Sequence, residues 1–463
     1  MKFTVDRDAL AEAVTWVARA LPGRPVVPVL SGLLLSAGSE PQQQNGSGFL
    51  SLSCFDYEVS ARIRVAAEVA EPGTVLLPGR LLAEIVRSLP PRPVEFDDGG
   101  DPDGISVTCG HAAFTVTQLP DGEYPELPEL PQLAGTVDGG VFAGAISQVT
   151  PAASRDDTLP MLTAVNLELA GTTMTLAATD RYRLAVRELG WHPAPGFDGH
   201  DQAAFLVPAR TLADAARMMS PGTEVRLMFR SGGGNARRDL GVVPPDGNSG
   251  TRGPLFGLDG AAEAMIGFET GARRLTTRLL AGEFVRYRSR FPADFGCTAD
   301  VPAEAFAEAL RRVALVAERG TPVQLTFAPG QVTIGAGTQG TARARESLPA
   351  EFSGDEPVIA FSPHYLLDGV TAVISRGDDP PYPPRVDGGG SAGDSVSAPG
   401  AREHDAADRE ADDSAQSAAE VVRLRLSFTS PAKPAVITRR PGPDGKGADS
   451  DFRYLVVPQR VLA

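Results

Sequence analysis

The residue types that usually carry catalysis are present in this chain, but they are not grouped for it. The five histidines, His111, His192, His200, His364 and His404, include no two at metal-ligand spacing. Cys54, Cys109 and Cys297 form no C-x-x-C pair, which excludes a zinc ribbon, and they are too few and too scattered for a disulfide framework. No G-x-x-x-x-G-K-[ST] run is present, so the chain itself is not expected to hydrolyse ATP. Gly232-Gly233-Gly234 lacks the strand-then-helix context of a phosphate cradle. Asp156-Asp157 and Asp378-Asp379 have the oxygen chemistry for Mg²⁺, but they read as solvated loop charge. No nucleophile stands beside a base. The chemistry left is recognition by arginine and by apolar side chains. Only three basic residues are lysine (Lys2, Lys433 and Lys446), so nearly all the positive charge is guanidinium, as a GC-rich coding bias would produce.

The elements that must position these groups come from a chain of 463 residues, about three domains' worth. Hydrophobic residues make up 42 %, enough for ordinary cores. The net charge of −15 argues, at face value, against a protein that wraps nucleic acid or an anionic membrane. No uncharged apolar run is long enough for a transmembrane helix, and the charged N-terminal stretch is not a signal peptide. A cytoplasmic protein with reduced thiols and no metal or other cofactor is expected.

Two stretches stand apart. Residues 231–260 are rich in Gly, Pro and Asn, and residues 377–419 are rich in Gly, Ser, Asp, Pro and Ala. Both read as disordered insertions, because neither can bury enough surface to offset ordering entropy. From Arg376 through Glu420 there are eleven acids and four bases, a net −7, so nearly half of the excess charge sits in one segment.

The rest of the chain repeats. Thr4-Val5-Asp6, Thr136-Val137-Asp138 and Thr298-Ala299-Asp300 each precede a helical run: Asp8–Leu21, Val141–Val149 and Ala303–Glu318. Each Asp is a candidate N-cap. Later in each unit a short apolar strand ends at a proline suited to a first helical turn: Pro78 before Arg80–Leu89, Pro208 before Arg210–Met219, and Pro363 before Tyr365–Ile374. Runs such as Phe49–Ser53, Val59–Val65, Val107–Val116, Leu167–Leu176 and Val332–Ile334 read as antiparallel strands. The expected architecture is α+β: three tandem similar domains, each with two helices packed on antiparallel sheets. Their boundaries are 1–128, 129–292 with the first insertion, and 293–463 with the acidic one.

Ordered motifs sharpen this. The chain opens Met1-Lys2-Phe3-Thr4-Val5. Gly23-Arg24-Pro25 leads into Pro28-Val29-Leu30-Ser31-Gly32-Leu33-Leu34, and Phe114-Thr115-Val116-Thr117-Gln118-Leu119-Pro120 precedes Tyr124-Pro125. Ala178-Thr179-Asp180-Arg181-Tyr182-Arg183-Leu184-Ala185 is the most specific, and Tyr454-Leu455-Val456-Val457-Pro458 comes last. With these motifs in this order, the chain resembles the bacterial DNA polymerase III beta subunit, the sliding clamp, in an actinobacterial-type form.

The resemblance implies a DNA clamp fold in which two chains close head to tail into a ring, with helices lining the hole. It implies a non-catalytic DNA replication factor that encircles double-stranded DNA without reading its sequence. Implied partners are the DNA polymerase III alpha subunit, other proteins bearing a clamp-binding motif, an ATP-dependent clamp loader and a second copy of the chain. For DNA it points to Arg24, Arg80, Arg87, Arg155, Arg210, Arg217 and Arg311, with Arg7, Arg19, Arg312 and Arg319 as further helix arginines. For a client-peptide pocket it points to Leu162, Thr179, Arg181, Tyr182, Arg183, Leu184, Val285, Leu455, Val456, Val457, Pro458, Gln459 and Arg460. For the dimer interface it points to Phe114, Val116, Leu315 and Val316. Val285, Ser289, Arg290 and Gln459 depart from the usual residues of that pocket, and Pro160, Met161 and Asp156 from those of a DNA-facing loop. The alternative is a specialised paralogous clamp, or a scaffold that does not encircle DNA. With half of the charge in one segment, an acidic outside and an arginine-bearing bore are compatible with the net −15.

Overall fold

The computed structural model describes residues 1–39, 47–99, 104–195, 197, 202–230, 264–318, 320–338, 342–354, 357–375, 422–440 and 451–459. The two insertions read from composition, and Arg319 and Arg460, lie outside these residues. Among the described residues there are six α-helices: α1 Arg7–Ala18, α2 Gly79–Ser88, α3 Gly139–Val149, α4 Ala209–Ala216, α5 Ala303–Ala314 and α6 Pro363–Ile374. They pack in pairs, α1 on α2, α3 on α4 and α5 on α6, and α3 also meets α6. The strands are antiparallel and form sheets of thirteen, nine and four strands.

Local chemistry explains the helix starts. Asp6 Oδ1 accepts from the backbone N–H groups of Asp8 at 3.0 Å and Ala9 at 2.9 Å, and Asp138 Oδ1 accepts from that of Val141 at 3.0 Å. The third expected cap fails. Asp300 lies inside the strand Cys297–Pro302, where Arg425 grips both carboxylate oxygens at 2.7 and 2.8 Å and Arg440 adds a contact at 3.2 Å. Charge-assisted pairing outcompetes capping here, and Pro302 takes the N-cap of α5. Pro78 and Pro208 are likewise N-cap residues rather than first-turn residues, whereas Pro363 is the first residue of α6. α1 and α5 end earlier than expected. Their last turns tighten to i→i−3 bonds, such as Leu21 N to Ala18 O at 3.3 Å and Leu315 N to Arg312 O at 3.2 Å.

Two runs expected as single strands are hairpins. Gly104–Cys109 turns back into Ala112–Thr117 at Gly110, and Ala164–Ala170 into Thr173–Thr179 at Gly171. These glycines have φ of +61° and +56°, a left-handed conformation that costs glycine little.

The sheets do not stop at unit boundaries. The strand Arg273–Arg278 pairs with Val59–Glu71, which joins the second unit to the first. The strand Arg183–Gly190 pairs with Phe452–Val456, which joins the second to the third. Ala61, Ile63, Leu275, Ala185, Tyr454 and Val456 face the helices and share one apolar core with α-helical residues such as Leu10, Phe142 and Phe306. Alternate residues on the same strands face the other side of the sheet. No helix among the described residues is long and apolar enough to cross a membrane. The three cysteines are buried, and burial pushes the Cys54 thiol up to about 12.

Candidate functional site

At the second seam the outer face of the sheet is apolar. Ala177, Leu184, Val186 and Leu455 point away from the helices and form a separate small cluster with Tyr287, against which Phe284, Phe291 and Val457 pack. Cross-strand pairing fixes the set: Thr179 opposes Leu184, and Leu184 opposes Leu455. The segment linking the second and third units supplies the three aromatic rings. Its Tyr287 hydroxyl donates to Glu168 Oε2 at 3.2 Å, and Arg288 pairs with the same carboxylate. Arg453, 3.2 Å from Glu188, lies over the Phe291 ring at 4.9 Å. Burial, reinforced by Glu168, pushes the Tyr287 hydroxyl above its ordinary range.

The rim of this cluster is the turn Asp180–Tyr182. Asp180 Oδ1 accepts from the backbone N–H groups of Tyr182 and Arg183, both at 3.0 Å, and Thr179 Oγ1 donates to Arg183 O at 2.6 Å. Arg181 holds φ of +81°, a conformation unfavourable for a residue with a Cβ. Arg183 Nε donates to Asp180 Oδ2 at 2.9 Å, its other end pairs with Asp368 of α6, and its guanidinium lies 4.5 Å from the Tyr365 ring centre. Burial alone would lower the basicity of Arg183, but Tyr454, Asp368 and Asp180 outweigh it and hold the charge. Tyr182 is 54 % exposed and stacks on Tyr365 at 6.2 Å. The backbone N–H of Val457 donates to Tyr182 O at 2.8 Å, and that of Gln459 to Ala360 O at 2.7 Å. The fold therefore sets exposed Tyr182 and Val285, a fixed cation and a backbone rim beside a small apolar cluster that is itself buried, a combination suited to holding apolar side chains of an extended peptide.

The expected pocket residues divide in this geometry. Leu184, Leu455 and Val457 belong to the shelf, and Thr179, Arg181, Tyr182 and Arg183 form its rim. Val285 is 39 % exposed beside Phe284, and Pro458 and Gln459 follow the last strand. Val456 turns the other way and is fully buried in the helix-side core, so it offers only backbone. Leu162 is buried in the single turn Pro160–Leu162, just before the strand Ala164–Ala170. Ser289 and Arg290 are exposed in the turn Arg288–Arg290. Sequence reasoning missed Tyr287, Phe284 and Phe291, although the spacing of these rings between Gly282 and Pro292 was a signal. It also missed Asp368, Tyr365 and Glu168, for which no local signal exists.

The arginines singled out for phosphate contact lie on helices or on loops at helix ends. Arg24, Arg80, Arg87, Arg155, Arg210, Arg217 and Arg311 are all exposed. Arg80 Nη2 donates to Pro22 O at 3.2 Å, tying α2 to the loop that carries Arg24. Arg217 pairs with Asp214 at 2.6 Å. Arg7 is used internally, donating to Leu89 O at 3.1 Å and Arg87 O at 3.2 Å, and Arg312 is held by Glu346 at 2.7 Å. Of the four interface candidates, Leu315 is 85 % exposed and Phe114 36 %, whereas Val316 is half-buried. Val116 is buried in the first unit's core, so its side chain is not available to a partner.

Among the described residues no group of three or more His, Cys, Asp or Glu is placed to hold a metal ion. Three successive segments match one family: DNA polymerase III beta subunit, N-terminal domain, over residues 1–128; its central domain over 136–285; and its C-terminal domain over 288–376. The beta sliding clamp of Streptomyces coelicolor is 43 % identical over 463 residues, all of both chains. That of Micrococcus luteus is 45 % identical over 350 residues, covering 75 % of this chain and 99 % of the relative. In fold, the chain is similar to the crystal structure of the DNA polymerase sliding clamp from Bacillus subtilis, with a TM-score of 0.73 at 21 % identity over all of both chains.

Proposed function

The chain belongs to the DNA polymerase III beta-subunit family, the sliding clamps, and from that membership we propose that two copies close head to tail around duplex DNA and tether the replicative polymerase to it. It is a processivity factor and not a catalytic subunit. The single observation that carries the reading is the continuity of the sheet through both seams, with a helix-side core on one face and an apolar shelf on the other. Such a layered arc gives the molecule two chemically different faces.

Residues 1–128, 129–292 and 293–463 serve as the three clamp domains. Arg24, Arg80, Arg87, Arg155, Arg210, Arg217 and Arg311 make loose phosphate contacts on the helix side. Contacts of that kind carry no sequence information and permit sliding. The shelf and rim of the second seam, Thr179–Leu184 with Leu455 and Val457, take the linear motif of the polymerase III alpha subunit and of other clients. An ATP-dependent loader in the same cytoplasmic compartment places the ring. The edge strand Ala112–Thr117 contributes its backbone and Phe114 to ring closure, and the end of α5 contributes Leu315 and Val316. Pairing would bury an otherwise open sheet edge.

The test is retention after loading on nicked circular DNA, compared with the same DNA linearised. A ring is retained on the circle and runs off the ends, whereas equal retention on both would overturn the encircling role. A second reading, a specialised copy with altered client preference, is favoured by exposed Val285 and by a wall bearing Arg288 and Arg290. Titration with a consensus clamp-binding peptide separates the two: affinity equal to that of a typical clamp removes the specialised reading.

A further inference from the structure

The outer face of the first seam carries a feature that neither the ring nor the client shelf uses. Pairing of Arg273–Arg278 with Val59–Glu71 sets Arg274 directly opposite Arg62. Ala61, Ile63 and Leu275 on these strands point to the helices, so Arg62, Arg64 and Arg274 share the opposite face. Like charges directly opposed on neighbouring strands destabilise a sheet. Arg274 is compensated, because its Nε pairs with Glu269, whose other oxygen accepts from Arg226 Nη1 at 2.7 Å. The Glu269 side chain is only 9 % exposed and is fully engaged by these two.

Arg62 has no such relief. It is half-buried between Arg64 and Arg274, and among the described residues no carboxylate pairs with Arg62 or Arg64. Burial and the two neighbouring cations lower the basicity of Arg62, the direction expected for a charge that lacks its counter-ion. Arg64 lies over the Phe49 ring at 4.7 Å, which fixes its guanidinium plane. On this face, then, Arg226 and Arg274 share one carboxylate, while Arg62 and Arg64 have none among the described residues, in a chain of net charge −15.

We propose that this arginine comb is a docking surface for an acidic, extended peptide segment of a protein partner. Two carboxylates at i and i+2 of such a segment span about 6.7 Å, the separation of Arg62 and Arg64 along their strand. Phe49 offers an apolar contact beside them. A single nucleic-acid strand fits the face less well, because sequence-tolerant strand binding relies on open aromatic platforms and the Phe49 ring is already covered by Arg64. The surface lies on the face opposite the helices and is independent of the clamp reading.

The test uses the full chain and a fluorescein-labelled Glu-Ala-Glu-Ala-Glu-Ala peptide, with fluorescence anisotropy in about 50 mM salt. The bulk of an acidic protein repels this probe, so binding reports a local basic site. The unmodified chain should bind it in a salt-sensitive manner. Arg62→Gln with Arg64→Gln should weaken binding at least tenfold without lowering the melting temperature, because neither arginine loses a carboxylate. Equal affinity of the variant, or no binding by the unmodified chain, overturns the proposal. Tighter, arginine-dependent binding of a labelled oligo-dT overturns it in favour of nucleic acid. Binding that appears only after deletion of residues 377–419 overturns it in favour of the chain's own acidic stretch.

Discussion

Asp180 should be the most sensitive single residue of the second seam. One of its oxygens serves the two backbone N–H groups of the turn, and the other serves Arg183. Both side chains are only 11 % exposed, so water screens the pair little. Breaking a buried pair by removing one partner costs roughly 3–5 kcal/mol. Asp368 stays on the far side of the guanidinium and reduces that figure, while two lost backbone hydrogen bonds add about 1 kcal/mol each. Asp180→Ala should therefore destabilise by about 3–4 kcal/mol. Asp180→Asn keeps an acceptor for both amides and should cost about 1–2 kcal/mol less. Adding Arg183→Met to Asp180→Asn should recover most of the remaining loss, because an apolar side chain in place of a buried pair is close to neutral. Urea unfolding read by tryptophan fluorescence measures this. Trp191, buried in the second unit and donating to Gly171 O at 2.9 Å, is the reporter in a Trp16→Phe background. A three-unit chain need not unfold in one step, so a reporter confined to one unit is required. The reasoning is refuted if Asp180→Asn is as damaging as Asp180→Ala and the double variant is no more stable than Asp180→Asn.

Arg181→Gly should stabilise by about 0.5–1 kcal/mol in the same assay, since relief of the left-handed strain exceeds the added freedom of the unfolded chain. Leu315→Lys with Val316→Lys should give a folded monomer by light scattering, because Leu315 is already exposed, whereas Val116→Lys should unfold the first unit. Burial raises the hydroxyls of Tyr124, Tyr287, Tyr365 and Tyr454 above the ordinary tyrosine value. Their folded pKa values exceed the unfolded ones, so their stabilising contribution is complete below pH of about 10 and is lost as pH rises further. The urea midpoint should fall between pH of about 9 and 11, and phenolate absorbance should lag for four of the seven tyrosines; a simple titration of all seven at once would contradict it.

The helices could be read in the sequence because their signals are local. In α2, Leu82, Ala83, Ile85 and Val86 recur at helical spacing after a proline, and all four are buried. The rim motif Thr179–Leu184 was legible for the same reason, since Asp180 closes its own turn. Asp300 misled because an Asp ahead of a helix looks the same whether it caps or pairs, and Arg425 and Arg440 are remote in the chain. Asp368 reaches Arg183 across 185 positions, and Arg288 reaches Glu168 across 120, so nothing near either residue announces the contact. Val116 and Val456, expected at the dimer interface and in the pocket, have buried side chains, because strand alternation shows that two faces exist but not which one meets the helices.

The second seam also sets an order of events during synthesis. Glu188 and Arg453 touch across it but are 265 positions apart in the chain. At 5–20 residues per second, roughly 13–50 s pass between the synthesis of one side and the other. Through that interval the strand Arg183–Gly190 has a bare edge, and Leu184 and Val186 lack Leu455. An open apolar edge of this kind is sticky, so the nascent chain is most vulnerable to mispairing just before its final strand arrives. The same delay means that an unfinished chain cannot yet display the shelf, and that only a fully synthesised subunit is equipped to recruit anything to it.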